Sequence, residues 1–345
     1  MRILYGVSGD GFGHSSRALV IGKYLEKRGH KLIIVTYGQA YNVLKNKFNV
    51  FKIKGLRIIF RKGILKKRKT ILSNFKIFPK NILNIEKFDK LMNEFKPDLC
   101  ISDMEPVVPI LSFWYKIPLM SIDNQHRITN LKISVPKKYL KSYLIAKKVI
   151  NTFVRKADFF IVVSFTKNKI LKKKTFVVPP IIREDVRKLK PVYKDKILVY
   201  LTRKNREILN TLNKIDESFV VYGYDKDGKK GNLEFKTKKS FLEDLRECKA
   251  IIGSSGFSLM SEAIYLKKPY FAIPLKGQFE QVLNSLFLKK AGFGEYDEEI
   301  NTKNIKLFLD NLDTYRKNLK RYNPNYNEMF DVLDKTLIKI NKIRK

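Results

Sequence analysis

Ala250-Ile251-Ile252-Gly253-Ser254-Ser255-Gly256-Phe257-Ser258, with Glu262, Pro269, Glu280, Gln281 and Asn284 behind it, is the stretch whose reading decides the fold. Residues 250–252 are apolar and read as a buried strand, 253–256 as a small-residue turn, and 258–266 as a helix with one apolar face. Past Lys267-Lys268-Pro269, a second strand over 270–274 runs through Leu275-Lys276-Gly277-Gln278-Phe279 to a helix opened by Glu280. A turn of small residues ahead of a helix presents unpaired N–H groups and the positive end of the helix dipole. With no bulky side chain in the way, the backbone can approach an anion closely, which suits a diphosphate. Glu262 falls one turn into the helix, where two acceptor oxygens can take both donors of a ribose 2′,3′-diol. Glu280 and Gln281 offer acceptors and a donor to sugar hydroxyls.

The same alternation extends outward. Strands are expected over 3–7, 32–36, 99–102, 119–122 and 159–163, with a helix over 15–27. Val177-Val178-Pro179-Pro180 interrupts the pattern, which restarts with a strand over 197–201, a helix over 206–212 and a strand over 219–222. A chain of 345 residues exceeds one ordinary core. The expected architecture is α/β: two doubly wound, Rossmann-like domains facing across a cleft, with ligands at the carboxyl ends of the strands. Residues 1–182 form the first domain, 183–322 the second, and 323–345 a C-terminal helix.

These residues resemble the donor-sugar signature of GT-B glycosyltransferases. The likeness is to both the UDP-glycosyltransferase superfamily, with its plant-type members, and glycosyltransferase family 28, the peptidoglycan lipid-linked N-acetylglucosaminyltransferases, in an archaeal-type branch. The resemblance implies that Gly253, Ser254, Ser255, Gly256, Phe257 and Ser258 surround the diphosphate, that Glu262 holds the ribose, and that Glu280 and Gln281 touch the sugar. The plant-type signature has a His where this chain has Ser254, so the hydroxyls of Ser254 and Ser255 with backbone N–H groups take its place. Ser240-Phe241-Leu242-Glu243-Asp244-Leu245 resembles the stretch whose backbone, here at Leu242, holds uracil; it also fits an amphipathic helix with Phe241 and Leu245 in the core. Leu201-Thr202-Arg203-Lys204-Asn205 stands where the family has a glycine-rich phosphate loop, leaving the Thr202 hydroxyl and Arg203 as phosphate contacts. By the same resemblance the C-terminal helix crosses back onto the first domain.

The first turn, Ser8-Gly9-Asp10-Gly11-Phe12-Gly13-His14, lacks the glycine spacing of dinucleotide binding, and no acid ends the second strand at Thr36-Tyr37-Gly38, which disfavours hydride transfer. A glycine-rich turn ending in His, with Gly11 and Gly13, resembles the acceptor-side loop of both families. Sugar transfer needs a base for the acceptor hydroxyl, and a neutral imidazole suits that step. His14 either fills this role or lines the pocket; Asp103, after its strand, orients it by resemblance, and Asp10 and Glu105 are competing candidates. Asp123-Asn124-Gln125-His126 resembles the polar cluster of family 28, implying an acceptor-side role for Asn124, Gln125 and His126. His30, after Gly29 at a helix end, reads as a cap.

Cys100 and Cys248 adjoin apolar strands and are expected reduced and buried, as in a cytoplasmic protein. No segment has the unbroken apolar length of a membrane span, and 1–7 reads as a core strand and not as a signal peptide. The formal net charge is +38, and residues 1–180 carry 37 Lys and Arg against 10 Asp and Glu, so the excess sits in the first half. No acid occurs between Glu26 and Glu86, where 16 Lys or Arg do, and residues 56–69 mix them with apolar side chains. Lys, Ile and Asn abundance throughout reads as an AT-rich or heat-adapted composition, which explains most of the charge but not the missing acids. Such a face is attracted to an anionic membrane surface, placing the protein at the inner face of the membrane. Nucleic acid is the less favoured partner. Asp225-Lys226-Asp227 matches a metal-diphosphate motif of another glycosyltransferase fold but sits in an evident turn, so no metal is expected.

The expected function is inverting, metal-independent transfer of a sugar from a UDP-sugar, a substrate with no further cofactor, to a hydroxyl acceptor, lipid-linked or membrane-associated. A nucleotide-sugar epimerase of GT-B architecture and a non-catalytic nucleotide-sugar or membrane-surface binding protein are the alternatives.

Overall fold

Runs such as Phe159–Val163, buried at every position, are the mark of parallel strands covered on both faces, because an alternating pattern would leave one face to water. The computed structural model describes residues 1–55, 60–61, 64–65, 85–154 and 156–344. It divides into two units, Met1–Arg183 with Asn325–Lys345, and Glu184–Pro324.

In the first unit the order is β1 (Arg2–Val7), α1 (Phe12–Lys27), β2 (Lys31–Thr36), α2 (Gly38–Leu44), β3 (Asn49–Lys52), the short pair β4 (Phe60–Arg61) and β5 (Ile64–Leu65), and α3 (Ile85–Phe95). Then follow β6 (Leu99–Asp103), α4 (Val107–Trp114), β7 (Leu119–Asp123), α5 (Arg127–Asn130), α6 (Leu140–Phe153), β8 (Phe159–Val163) and β9 (Thr175–Val178). Seven strands pair in the order β3-β2-β1-β6-β7-β8-β9, parallel throughout. The chain winds outward from β1 in one direction and from β6 in the other, so β1 and β6 flank the point where strand order reverses. In such sheets ligands bind at the carboxyl ends of those two strands.

The second unit repeats the plan with α7 (Glu184–Arg187), β10 (Ile197–Tyr200), α8 (Arg206–Leu212), β11 (Phe219–Tyr222), β12 (Gly228–Lys230), β13 (Leu233–Phe235) and α9 (Phe241–Glu247). It closes with β14 (Ala250–Ser254), α10 (Phe257–Tyr265), β15 (Tyr270–Ile273), α11 (Phe279–Lys290), β16 (Gly294–Tyr296), α12 (Thr302–Asp310) and α13 (Leu312–Arg321). Its order is β12-β13-β11-β10-β14-β15-β16, with only β12 antiparallel, and the reversal falls between β10 and β14. Several expected boundaries move: the C-terminal helix begins at Glu328 and not 323, the units divide after Arg183 and Pro324, and most strand ends shift by one residue. β14 continues through Ser254, leaving only Ser255 and Gly256 as the turn, and α1 starts at Phe12, three residues early.

The final helix, α14 (Glu328–Arg344), belongs to the first unit, where it contacts β8 and β9. Phe330 stacks on Tyr24 of α1 at 4.3 Å, and Asp334 accepts hydrogen bonds from the Tyr24 hydroxyl (2.8 Å) and Arg28 (2.7 Å). Met329, Leu333, Leu337 and Ile340 are buried along one side of it. Among the described residues no helix is long and apolar enough to cross a membrane. Cys100 and Cys248 are free and buried, and burial pushes the Cys248 thiol up to about 12.

Candidate active site

In the first unit β1 delivers the turn 8–11 and β6 ends on Asp103, which places the start of α1 against a carboxylate. Ser8 N–H bonds the Asp103 carbonyl at 3.1 Å, tying the two strand ends together. His14 Nδ1 lies 2.7 Å from Asp103 Oδ1, with Asp103 fully buried and the imidazole 14% exposed. A carboxylate accepts, so Nδ1 carries the proton and Nε2 is the nitrogen with a lone pair to offer.

Arg17, one turn further along α1, was not singled out from the sequence. It is buried, and its Nε and Nη2 donate to Asp103 Oδ2 (2.7 Å) and Oδ1 (2.6 Å) while Nη1 donates to Asn124 Oδ1 (3.3 Å). The available signal was its spacing, since residues three apart share a helix face. Asp10 is exposed at the mouth of the turn; desolvation by nearby protein raises its carboxyl above the ordinary value, against the lowering pull of the His14 charge. Gly11 has a φ of 79° and nothing near its absent side chain, and Gly13 sits in the first turn of α1.

Glu105, a candidate base by sequence, has another task. It is fully buried and accepts hydrogen bonds from the N–H groups of Val107 (2.8 Å) and Val108 (2.9 Å), capping α4. Burial raises its carboxyl to about 7 despite those two bonds.

A second histidine–carboxylate pair lies at the end of β7. His126 Nδ1 is 2.6 Å from Asp123 Oδ2, which also accepts from the Ser121 hydroxyl at 2.6 Å. Burial alone would raise Asp123, but the His126 charge and the bonds from His126 and Ser121 outweigh it and bring the carboxyl down to about 2. Asn124, Gln125 and His126, expected on the acceptor side, are all buried; Asn124 meets the site through Arg17, and His126 packs against Phe160. His30 is remote from both pairs, with Nδ1 3.1 Å from the Met1 amine.

In the second unit the motif separates into supports and open groups. Gly253 is needed for packing, because a Cβ there would meet the Tyr270 hydroxyl at 2.4 Å. Ser255, expected at the phosphate, is fully buried; its hydroxyl accepts from Ser285 (2.8 Å) and its carbonyl from Asn284 (2.8 Å), so it holds the turn. Ser254, also buried, accepts from Thr202 N–H at 3.0 Å, joining the ends of β14 and β10 at the reversal point. Gly256 is the N-cap of α10, supplies no side-chain cap, and has nothing within 4 Å of an added Cβ. Around Gly256 the start of α10 is therefore an open backbone surface.

Glu262 is buried one turn in. Gln281 uses Oε1 to accept from Leu275 N–H at 3.0 Å, which commits that oxygen and not the amide nitrogen, and Glu280 precedes it in the first turn of α11. Thr202 is exposed and Arg203 half-buried, while Asn205 caps α8. Leu242 is half-buried in the first turn of α9, where Phe241 meets the rings of Tyr200 and Tyr222 edge-on. Asp244 is buried and bonded by Lys196 (2.7 Å) and Tyr222 (2.5 Å), anchoring that helix. Asp225 is an exposed, positive-φ turn residue and Asp227 accepts from Thr237 N–H at 2.8 Å.

Two doubly wound, mostly parallel sheets, each with its own reversal of strand order, are the fold of the GT-B class of glycosyltransferases. The glycosyl transferase family 1 sequence model matches residues 1–313, and the chain belongs to that family. A protein of Methanosarcina acetivorans described as an uncharacterized glycosyltransferase is 25% identical over 325 residues, 85% of each chain. Among solved structures, MurG of Acinetobacter baumannii matches with a TM-score of 0.62 at 16% identity, covering 96% of this chain and 98% of that one. The spinosyn rhamnosyltransferase SpnG, complexed with thymidine diphosphate, matches at 0.63 and 11% identity over 97% of this chain and 100% of its own.

Proposed function

We propose that this glycosyltransferase moves a sugar from a uridine diphosphate donor to a hydroxyl acceptor with inversion at the anomeric carbon. The observation that carries the reading is the 2.7 Å contact of His14 Nδ1 with Asp103 at the strand-reversal point of the first sheet. His14 Nε2 takes the acceptor hydroxyl proton as the acceptor oxygen attacks the anomeric carbon, and the bond from that carbon to the diphosphate oxygen breaks on the opposite side. The charge left on the diphosphate is met by the first-turn N–H groups of α10 and its dipole. Glu262 accepts from the ribose hydroxyls, and the backbone at Leu242 reads the base. The thymidine diphosphate held by SpnG makes a pyrimidine diphosphate the natural first probe.

The test is calorimetry with UDP, dTDP and purine diphosphates, followed by transfer assays. Glu262→Ala is expected to weaken UDP binding on the order of 10- to 100-fold, a net loss of about 1.5–3 kcal/mol in hydrogen bonding to a charged group. His14→Ala is expected to bind UDP as the wild type does and to lose transfer by about 10²–10⁴-fold. Binding of no nucleotide would sink the reading, and conversion of donor without acceptor would replace it with epimerisation.

The acceptor is proposed to be lipid-linked or presented at an anionic membrane surface. The basic stretch 56–69 lies outside the described residues except at 60–61 and 64–65, but a second region supports the idea. Between Asp123 and Glu184 the only acid is Asp158, against 15 Lys and Arg, and Leu140, Leu144, Ile170 and Leu171 are exposed among them. Co-sedimentation with anionic vesicles that fades with salt, and none with neutral vesicles, is the expected result.

A further inference from the structure

We propose that Arg17 is a positioning residue of the acid-base pair: by bonding both oxygens of Asp103 it fixes that carboxylate square to the imidazole, so that the ring proton stays on Nδ1 and the lone pair on Nε2. The proposal rests on the reading of His14 as the base.

The geometry is that of a clamp. Arg17 is three residues after His14 on α1, 5% exposed, and its fork makes two near-parallel bonds to Asp103, Nε to Oδ2 at 2.7 Å and Nη2 to Oδ1 at 2.6 Å. Asp103 Oδ1 thereby receives both Arg17 Nη2 and His14 Nδ1, and neither carboxylate oxygen is left to rotate toward another donor. Nη1 is held in turn by Asn124 Oδ1 at 3.3 Å, which stops the fork from sliding along the carboxylate. A guanidinium has only protons to offer, so Nη2, 3.3 Å from His14 Nδ1, cannot accept from the ring, and Asp103 is its one acceptor. The pair Arg17–Asp103 is also balanced in charge. A buried carboxylate alone would favour the doubly protonated ring, which has no lone pair for an acceptor hydroxyl. The other titratable groups facing this cluster are Asp10 beside His14, with Tyr5 on β1 and Asp123 on β7 behind Arg17 and Asp103.

The chain has three histidines, His14, His30 and His126, so histidine-selective ¹⁵N labelling yields few signals, and His14→Ala assigns the relevant one. The wild type is expected to show His14 as the Nδ1–H tautomer. In Arg17→Gln the ring is expected to mix tautomers and to take its second proton at a higher pH than in the wild type, since the carboxylate is left without its counter-charge. The acid limb of the kcat/KM profile should move with it. Arg17→Lys keeps the charge without the fork, so it should restore the midpoint and not the single tautomer. If Arg17→Gln slows transfer while leaving tautomer and midpoint unchanged, Arg17 serves packing alone and the proposal is overturned. Should the glutamine variant not fold, an unchanged tautomer in Arg17→Lys overturns it equally. Full transfer by His14→Ala would instead remove the base reading, with the titration still deciding what Arg17 does to the ring.

Discussion

Glu105 shows how one buried carboxylate can serve structure and still make it pH-sensitive. It follows Met104, held at a φ of 54°, and its oxygens cap α4 under Gly6, where an added Cβ would lie 2.7 Å from Oε2. With burial raising its carboxyl to about 7, the native state holds a proton that the unfolded chain releases nearer the ordinary glutamate value. The stability this contributes is therefore full below about pH 4.5 and is lost as pH rises through 7. Chemical denaturation of wild type and Glu105→Gln across that window should show the wild type losing ground to the variant as pH rises; parallel curves would contradict the burial argument. Residues like this are where sequence reading is weakest. Glu105 has the composition of a candidate base and Arg17 that of a solvated helix charge, and only the fold reveals that the first caps a helix and the second grips Asp103. That His14 and Asp103 lie near each other was legible because Asp103 ends β6 and His14 comes just past the turn that β1 delivers, at the carboxyl ends of two neighbouring strands.

At the scale of an element, α10 and the strand before it carry two glycines with opposite duties. Gly253 lies under the Tyr270 hydroxyl, whose bond to the Ser254 carbonyl spans 2.8 Å, so Gly253→Ala forces that contact apart and should cost about 1–3 kcal/mol in unfolding free energy. Gly256 has an ordinary backbone conformation, φ −70° and ψ 132°, and open space around it. Gly256→Val should stay within about 0.5 kcal/mol of wild type in stability while weakening diphosphate binding, because the side chain would stand where the anion approaches. A thermal melt paired with UDP calorimetry on both variants separates the two effects. The strand-turn-helix itself was readable from apolar periodicity. The division of labour inside it was not, since Ser254, Ser255 and Gly256 all read as small turn residues, and only the bonds to Thr202, Ser285 and Asn284 distinguish the two buried serines from the open Gly256.

At the scale of the whole chain, the second unit is an insertion within the first, since the first is completed only by α14. Four buried side chains on that helix, Met329, Leu333, Leu337 and Ile340, contribute about 1.5–3 kcal/mol each, comparable in sum with the stability of an ordinary domain. Deleting residues 325–345 should therefore collapse amide protection across β8 and β9 while leaving the second unit protected, as read by hydrogen exchange; unchanged protection in β8 would show that the helix only decorates the sheet. Both doubly wound sheets were legible from the recurrence of apolar strands, and the helical tail from its own pattern. Its attachment to α1 through Tyr24, Arg28 and Asp334 has no local signature, because the partners lie some three hundred positions apart.

That attachment also sets an order of events during synthesis. Ribosomes release chains from the amino end, and domains ordinarily fold in that sequence. Here the later-made unit holds all of its strands and helices by Arg321, whereas the earlier-made one waits for residues around Ile340 to emerge before its exposed sheet face is covered. The part translated first is thus the part finished last, and a released chain truncated after Pro324 should resist protease over 184–324 while still being cut within 1–183.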